Sequence, residues 1–213
     1  MTRVQIRPIK LRKWFPPKDT VATMVAMLCV LREDLLLELY GMTNEHIQRL
    51  DDNDPGYRRT YFWRNSLRTL EEIKKVLTRL NFQGGFSDAM AREPEDVRTA
   101  FTQLNTELDT AHKEFLKDLR DALGGHLDEK TIQATLDSMD PQHEAFFEAG
   151  EIVGRTHYRF AGDLIWATLL RDIPENQHQE KAEALLGRTS RLSQAVKAID
   201  DVVVCYMRDR RLP

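Results

Sequence analysis

The feature that most restricts the fold is a hydrophobic stripe in the middle of the chain. Val97, Phe101, Leu104, Leu108, Ala111, Phe115, Leu119 and Ala122 follow one another at steps of four and three residues, the spacing that gathers side chains on one face of an α-helix. Pro94, suited to a first helical turn, precedes the stripe, and Gly124-Gly125, suited to a stop, follows it. A helix of about thirty residues would be about 45 Å long. Such a rod is stable only when neighbours cover its apolar edge, so the stripe predicts the spine of a helical bundle.

The flanking sequence supplies those neighbours. Pro16-Pro17 with Asp19 and Thr20 marks a helix start, after which apolar residues from Val21 to Leu31 occupy nearly every face before narrowing to Leu35, Leu36, Leu39 and Tyr40. A helix of this kind is expected to be surrounded, in part by a second subunit. Asp51-Asp52-Asn53-Asp54-Pro55-Gly56 breaks the pattern. From about Tyr57 a second helix carries Trp63, Leu67, Leu70, Ile73, Val76, Leu77 and Leu80 on one stripe, with Arg64, Arg68 and a Glu71/Lys75 pair expected on its surface. Asn81 to Ser87, containing Gly84-Gly85, reads as a loop.

Beyond the central helix, Asp128 caps a shorter one with Ile132, Leu136 and Met139, and Phe146 to Ala161 reads as irregular. A helix over about 162–170 and a long last one from Gln179 to Met207 complete the set, the latter with Leu185, Thr189, Leu192, Val196, Ile199, Val203 and Tyr206 in register. Arg208-Asp209-Arg210-Arg211 reads as a frayed polar tail. The expected fold is all-α, a bundle of about five to seven helices with long antiparallel core helices. One domain spans 1–213, with an N-terminal extension at 1–16 and C-terminal helices over about 162–207.

Composition narrows the function. With 31 basic and 34 acidic residues the net charge is -3, so no global field points to nucleic acid or to an acidic substrate, and any basic surface is local. The two cysteines, Cys29 and Cys205, sit in apolar surroundings as buried free thiols, which fits a reducing cytoplasm. Met1 to Pro17 lacks the apolar core of an export signal, and the run Val21 to Leu31, at about eleven residues, is short of the roughly twenty that a bilayer requires. A soluble, cytoplasmic protein without a membrane partner is expected. The six histidines, His46, His112, His126, His143, His157 and His178, show no metal-ligand spacing, and no phosphate-binding loop occurs. Neither a metal nor another cofactor is expected.

One local sequence points to chemistry: Leu119-Arg120-Asp121-Ala122-Leu123-Gly124-Gly125-His126, at the end of the most periodic helix. A second Arg and His at similar spacing, Arg171-Asp172 and His178, has Pro174 between them and falls in a loop. The first resembles the Arg-x(4–6)-His signature of HEPN domains, in which a polar residue follows the Arg, as Asp121 does, and the motif sits in an all-α bundle. The resemblance extends loosely over a core of about 57–136, where Trp63-Arg64-Asn65-Ser66-Leu67-Arg68 is similar to the helix packed beside the motif.

The resemblance implies a metal-independent endoribonuclease of the toxin or abortive-infection kind. It implies His126 as general acid or base at the ribose 2′-hydroxyl or the leaving oxygen, Arg120 as the fork that holds a phosphate oxygen, and Asp121 as an orienting group. On an unbroken helix Arg120 and His126 would stand about 120° apart and about 9 Å along the axis. To share a phosphate, His126 must turn back at Gly124-Gly125, or two subunits must pool their motifs as HEPN dimers do. RNA, a cognate antitoxin protein and a second copy of the chain are then the expected partners. Arg58, Arg59, Arg64 and Arg68, interleaved with Tyr57, Tyr61 and Trp63, are the candidate RNA-binding surface, cations and aromatic rings being the usual means of holding a single strand. The alternative reading is a non-catalytic helical module that binds a protein or a nucleic acid.

Overall fold

A computed structural model describes residues 9–43, 55–116, 129–144, 160–191 and 194–211, with side chains except at 43, 55–58, 114–115 and 188–191. The described residues form nine α-helices and no strand. In chain order they are α1 (Leu11–Trp14), α2 (Thr20–Thr43), α3 (Pro55–Asn81), α4 (Gly84–Ala91), α5 (Glu95–Ala111), α6 (Glu129–Ser138), α7 (Phe160–Leu170), α8 (His178–Arg191) and α9 (Ala195–Asp209). The all-α expectation holds, with more helices than the sequence suggested. The additions are short or arise from breaks. Gly84-Gly85 does not make a loop; the two glycines open α4, because Phe86, Ala89 and Met90 gain a buried face there.

α3 is the axis of the core. Its stripe from Trp63 to Leu80 is buried as expected, against α2 on one side and α5 on the other, and Trp63 stacks on Trp166 of α7 with ring centroids 5.5 Å apart. α2 begins where Asp19 accepts a hydrogen bond from the Ala22 amide, 2.9 Å, which satisfies one of the free N–H groups of the first turn. It runs antiparallel to α3, since Glu38 meets Thr69 and Gly41 meets Phe62.

α2 is not surrounded among the described residues. Ala22, Met24, Val25, Leu28 and Leu35 are buried, while Met27, Val30, Leu36, Leu37 and Tyr40 are exposed, Val30 and Leu37 each by 62%. The last helix also departs from expectation. It is divided into α8 and α9, and α9 buries Ala195, Ala198, Val202 and Cys205 in the core beside Ile199 and Tyr206.

The end of α9 is tied down rather than frayed. Arg208 pairs with Glu93, Asp209 with Arg92, and Arg210 with Asp19 at 2.6 Å. The Tyr206 hydroxyl donates to the Trp14 carbonyl, 2.6 Å, and Phe15 stacks on the Tyr206 ring, so the segment around α1 is fastened to the far end of the chain. No described helix is long and apolar enough to cross a membrane.

Candidate functional site

α3 and α5 lie antiparallel, joined by a row of polar contacts along their seam. Asn81 donates to Asn105 at 3.0 Å, Lys74 pairs with Asp109 at 3.5 Å, and Oε2 of Glu71 lies 2.7 Å from Nδ1 of His112. The last contact differs from the others in depth. The Glu71 side chain is 1% exposed and that of His112 26%, so the acid lies inside and the imidazole reaches the surface.

His112 also begins an irregularity in the helix. From His112 to Leu116 the backbone is π-helical, its hydrogen bonds spanning one residue more than those of an α-helix. The buried positions of α5 are Phe101, Leu104, Leu108 and Ala111, and a regular helix would next bury position 115. Across the wider turn Leu116 is fully enclosed. Turns of this kind lose hydrogen-bond geometry and recur at functional sites.

A second acid lies on the opposite side of α3. Thr69, two residues before Glu71 and therefore about 200° round the helix, donates its hydroxyl to Oε1 of Glu38 at 2.9 Å. Oε2 of Glu38 is buried without a hydrogen-bond partner. Burial pushes the Glu38 carboxyl up to about 7, against the pull of the Thr69 hydroxyl and of Arg68, with Asp34 adding to the rise.

Arg120, Asp121 and His126 lie outside the described residues, as does the side chain of Arg58. Arg59 and Arg68 are exposed. Arg64 is half-exposed with its guanidinium 5.9 Å from the centre of the Tyr61 ring, which is itself 43% exposed. Trp63 is in the core and offers no ring to a base, so the described part of the proposed RNA surface comes down to Arg59, Tyr61, Arg64 and Arg68. No family model, curated protein or solved structure matches the chain.

The remaining reactive groups are quiet. Both cysteines are free thiols, and burial, followed by the nearby Glu93 and Asp209 charges, pushes Cys205 up to about 11, far from a nucleophilic thiolate. His143 is exposed, and His178 is held by the Ile173 carbonyl at 2.8 Å. Among the described residues no three His, Cys, Asp or Glu side chains converge as a metal site would require.

The Glu71–His112 pair is the feature that sequence reasoning missed. Glu71 was expected on the surface with Lys75, yet Lys75 pairs with Glu72 at 2.7 Å. A signal was present: Glu71 stands four residues after Leu67, and His112 four after Leu108, so each flanks a buried stripe.

Proposed function

We propose that the chain is a metal-independent endoribonuclease of HEPN-like type, acting on single-stranded RNA through Arg120, Asp121 and His126. The observation that carries the reading is the Arg120-Asp121 to His126 motif, which follows α5 in sequence a few residues after its π-helical turn. In this reading Arg120 neutralises the charge that grows on the phosphate oxygens, and His126 transfers a proton at the ribose or at the leaving oxygen. Arg64 and Arg68, one helical turn apart on α3, hold the backbone of the strand, and Tyr61 offers a ring to a base. A protein that cleaves RNA in this way requires restraint, and a cognate antitoxin protein is the proposed partner.

The test uses the full chain and a labelled single-stranded RNA in EDTA. Cleavage to a 2′,3′-cyclic phosphate, abolished by His126→Ala without a fall in melting temperature, supports the reading. Intact RNA with folded wild-type protein overturns it.

The exposed apolar side chains of α2 favour a second reading. Met27, Val30, Leu36, Leu37 and Tyr40 along one helix suit a binding module that docks a protein, including a second copy of the chain. A protein of this class associates in solution and leaves RNA whole, and it does not respond to His126→Ala.

A further inference from the structure

A buried carboxylate is an expensive feature, and where it points indicates what it does. Glu71 is the most deeply buried charged side chain among the described residues. It stands between the apolar stripes of α3 and α5, and its Oε2 meets Nδ1 of His112 at 2.7 Å. A structural ion pair that only joined two helices would stand at the rim of their seam, as Lys74 and Asp109 do, one turn away, with the carboxylate 57% exposed. Here the acid is withdrawn and the imidazole is placed between it and the solvent.

This order, carboxylate then imidazole then water, is the arrangement that makes a histidine a directed base. A neutral imidazole that donates Nδ1–H to a carboxylate keeps its lone pair on Nε2, and the carboxylate stabilises the imidazolium formed when Nε2 takes a proton. Nε2 of His112 has no hydrogen-bond partner among the described residues, and the side chain is 26% exposed. The π turn that starts at His112 adds a second, independent sign: a less favourable backbone is kept in place by the enclosed Leu116 on one side and by the Glu71 contact on the other.

We propose that His112 is a second proton-transfer residue of this protein and that Glu71 is its positioning residue. The proposal rests on the ribonuclease reading for its substrate, a phosphodiester of single-stranded RNA. Nε2 of His112 accepts the proton of the ribose 2′-hydroxyl as the 2′-oxygen attacks phosphorus. The bond from phosphorus to the 5′-oxygen breaks, and that oxygen takes a proton from His126 in its imidazolium form. The products are a 2′,3′-cyclic phosphate and a free 5′-hydroxyl. His112 then gives its proton to water and His126 regains one, so nothing is oxidised or reduced. Glu71 touches no substrate; it holds one tautomer and one ring orientation.

The experiment compares the wild-type chain with His112→Ala, His112→Gln, Glu71→Gln, the His112→Ala/Glu71→Gln double variant and His126→Ala, by initial rates on single-stranded RNA in EDTA. His112→Gln keeps a hydrogen-bond donor for Glu71 and serves if the alanine variant does not fold. The expected result is a fall in kcat of about 100-fold or more in both His112 variants with KM unchanged. Added imidazole restores about a tenfold part of the His112→Ala loss, which repair of packing would not do. Glu71→Gln lowers kcat by about 10-fold to 100-fold, and the double variant is no slower than His112→Ala, since two groups that act as a unit are lost once. The ring nitrogens of His112, read by 15N NMR, show the proton on Nδ1 in the wild type.

Wild-type rates in folded His112 variants beside a dead His126→Ala would overturn this proposal and leave the ribonuclease reading standing. So would a double variant whose losses multiply, or a proton found on Nε2. Uncleaved RNA with the wild-type protein removes both.

Discussion

Two carboxylates lie against α3 on opposite sides, and the fold treats them differently. Glu38, in the seam with α2, has one oxygen on the Thr69 hydroxyl and the other buried without a partner, and its carboxyl is pushed up to about 7. Glu71, in the seam with α5, is more deeply enclosed, yet it meets an imidazole at 2.7 Å. The first seam accommodates an acid by favouring its protonated form. The second accommodates one by giving it a cationisable partner. Burial alone therefore does not decide the state of a carboxylate; what faces it across the seam does.

The largest effect is expected where the partner is removed. His112→Ala takes the imidazole from a buried acid and should lower stability by about 2–3 kcal/mol, the scale of a charge-assisted hydrogen bond in a protein interior. Urea denaturation at pH 7 measures it, and a loss below about 0.5 kcal/mol would place Glu71 on the same footing as a surface acid.

Glu38→Gln comes next, with the opposite sign. The folded protein holds the Glu38 proton up to about pH 7, whereas the unfolded chain releases it near 4.5. Stability from this group is full below 4.5, falls as pH rises through that window, and stays low above it. Glutamine does not ionise, so the variant should be more stable than wild type at pH 8 by about 1–2 kcal/mol, reduced by solvent screening of a half-buried group, and equal to it near pH 4. Parallel denaturation curves at the two pH values decide the matter, and a difference independent of pH would mean that folding leaves the Glu38 carboxyl at its ordinary value.

Thr69→Val should cost about 1 kcal/mol at pH 8, where the hydroxyl serves a carboxylate, and less at pH 4. Equal losses at both values would break the link between this hydroxyl and the Glu38 charge. Lys74→Ala is the smallest. It lies on the same seam as Glu71 but pairs with an exposed Asp109, and it should change stability by less than about 0.5 kcal/mol in the same assay.

The sequence was a good guide wherever local spacing determines the outcome. The stripe from Trp63 to Leu80 and that from Phe101 to Ala111 are buried as the three-and-four spacing requires. It was a poor guide where a residue's fate depends on a distant neighbour. Glu71 and Lys75 stand four apart and suggest an exposed pair, but the group that decides the position of Glu71 is His112, 41 residues away. The π turn is equally hidden, because the enclosure of Leu116 depends on what packs around it and not on its neighbours in sequence. Gly84-Gly85 carries the residues of a stop, and only the burial of Phe86, Ala89 and Met90 turns it into a start. The candidate site divides along the same line. Arg120, Asp121 and His126 were found by motif and lie outside the described residues, whereas the Glu71–His112 pair was found by geometry and has no motif.

Gly41, three residues beyond Glu38 on α2, lies so close to α3 that a β-carbon there would meet the Phe62 ring at 2.5 Å. Any side chain at 41 must swing that ring aside or separate the two helices. Separation would let water reach the bare Glu38 oxygen and return the acid toward its ordinary range. One missing methyl group thus sets the hydration of a carboxyl a helical turn away.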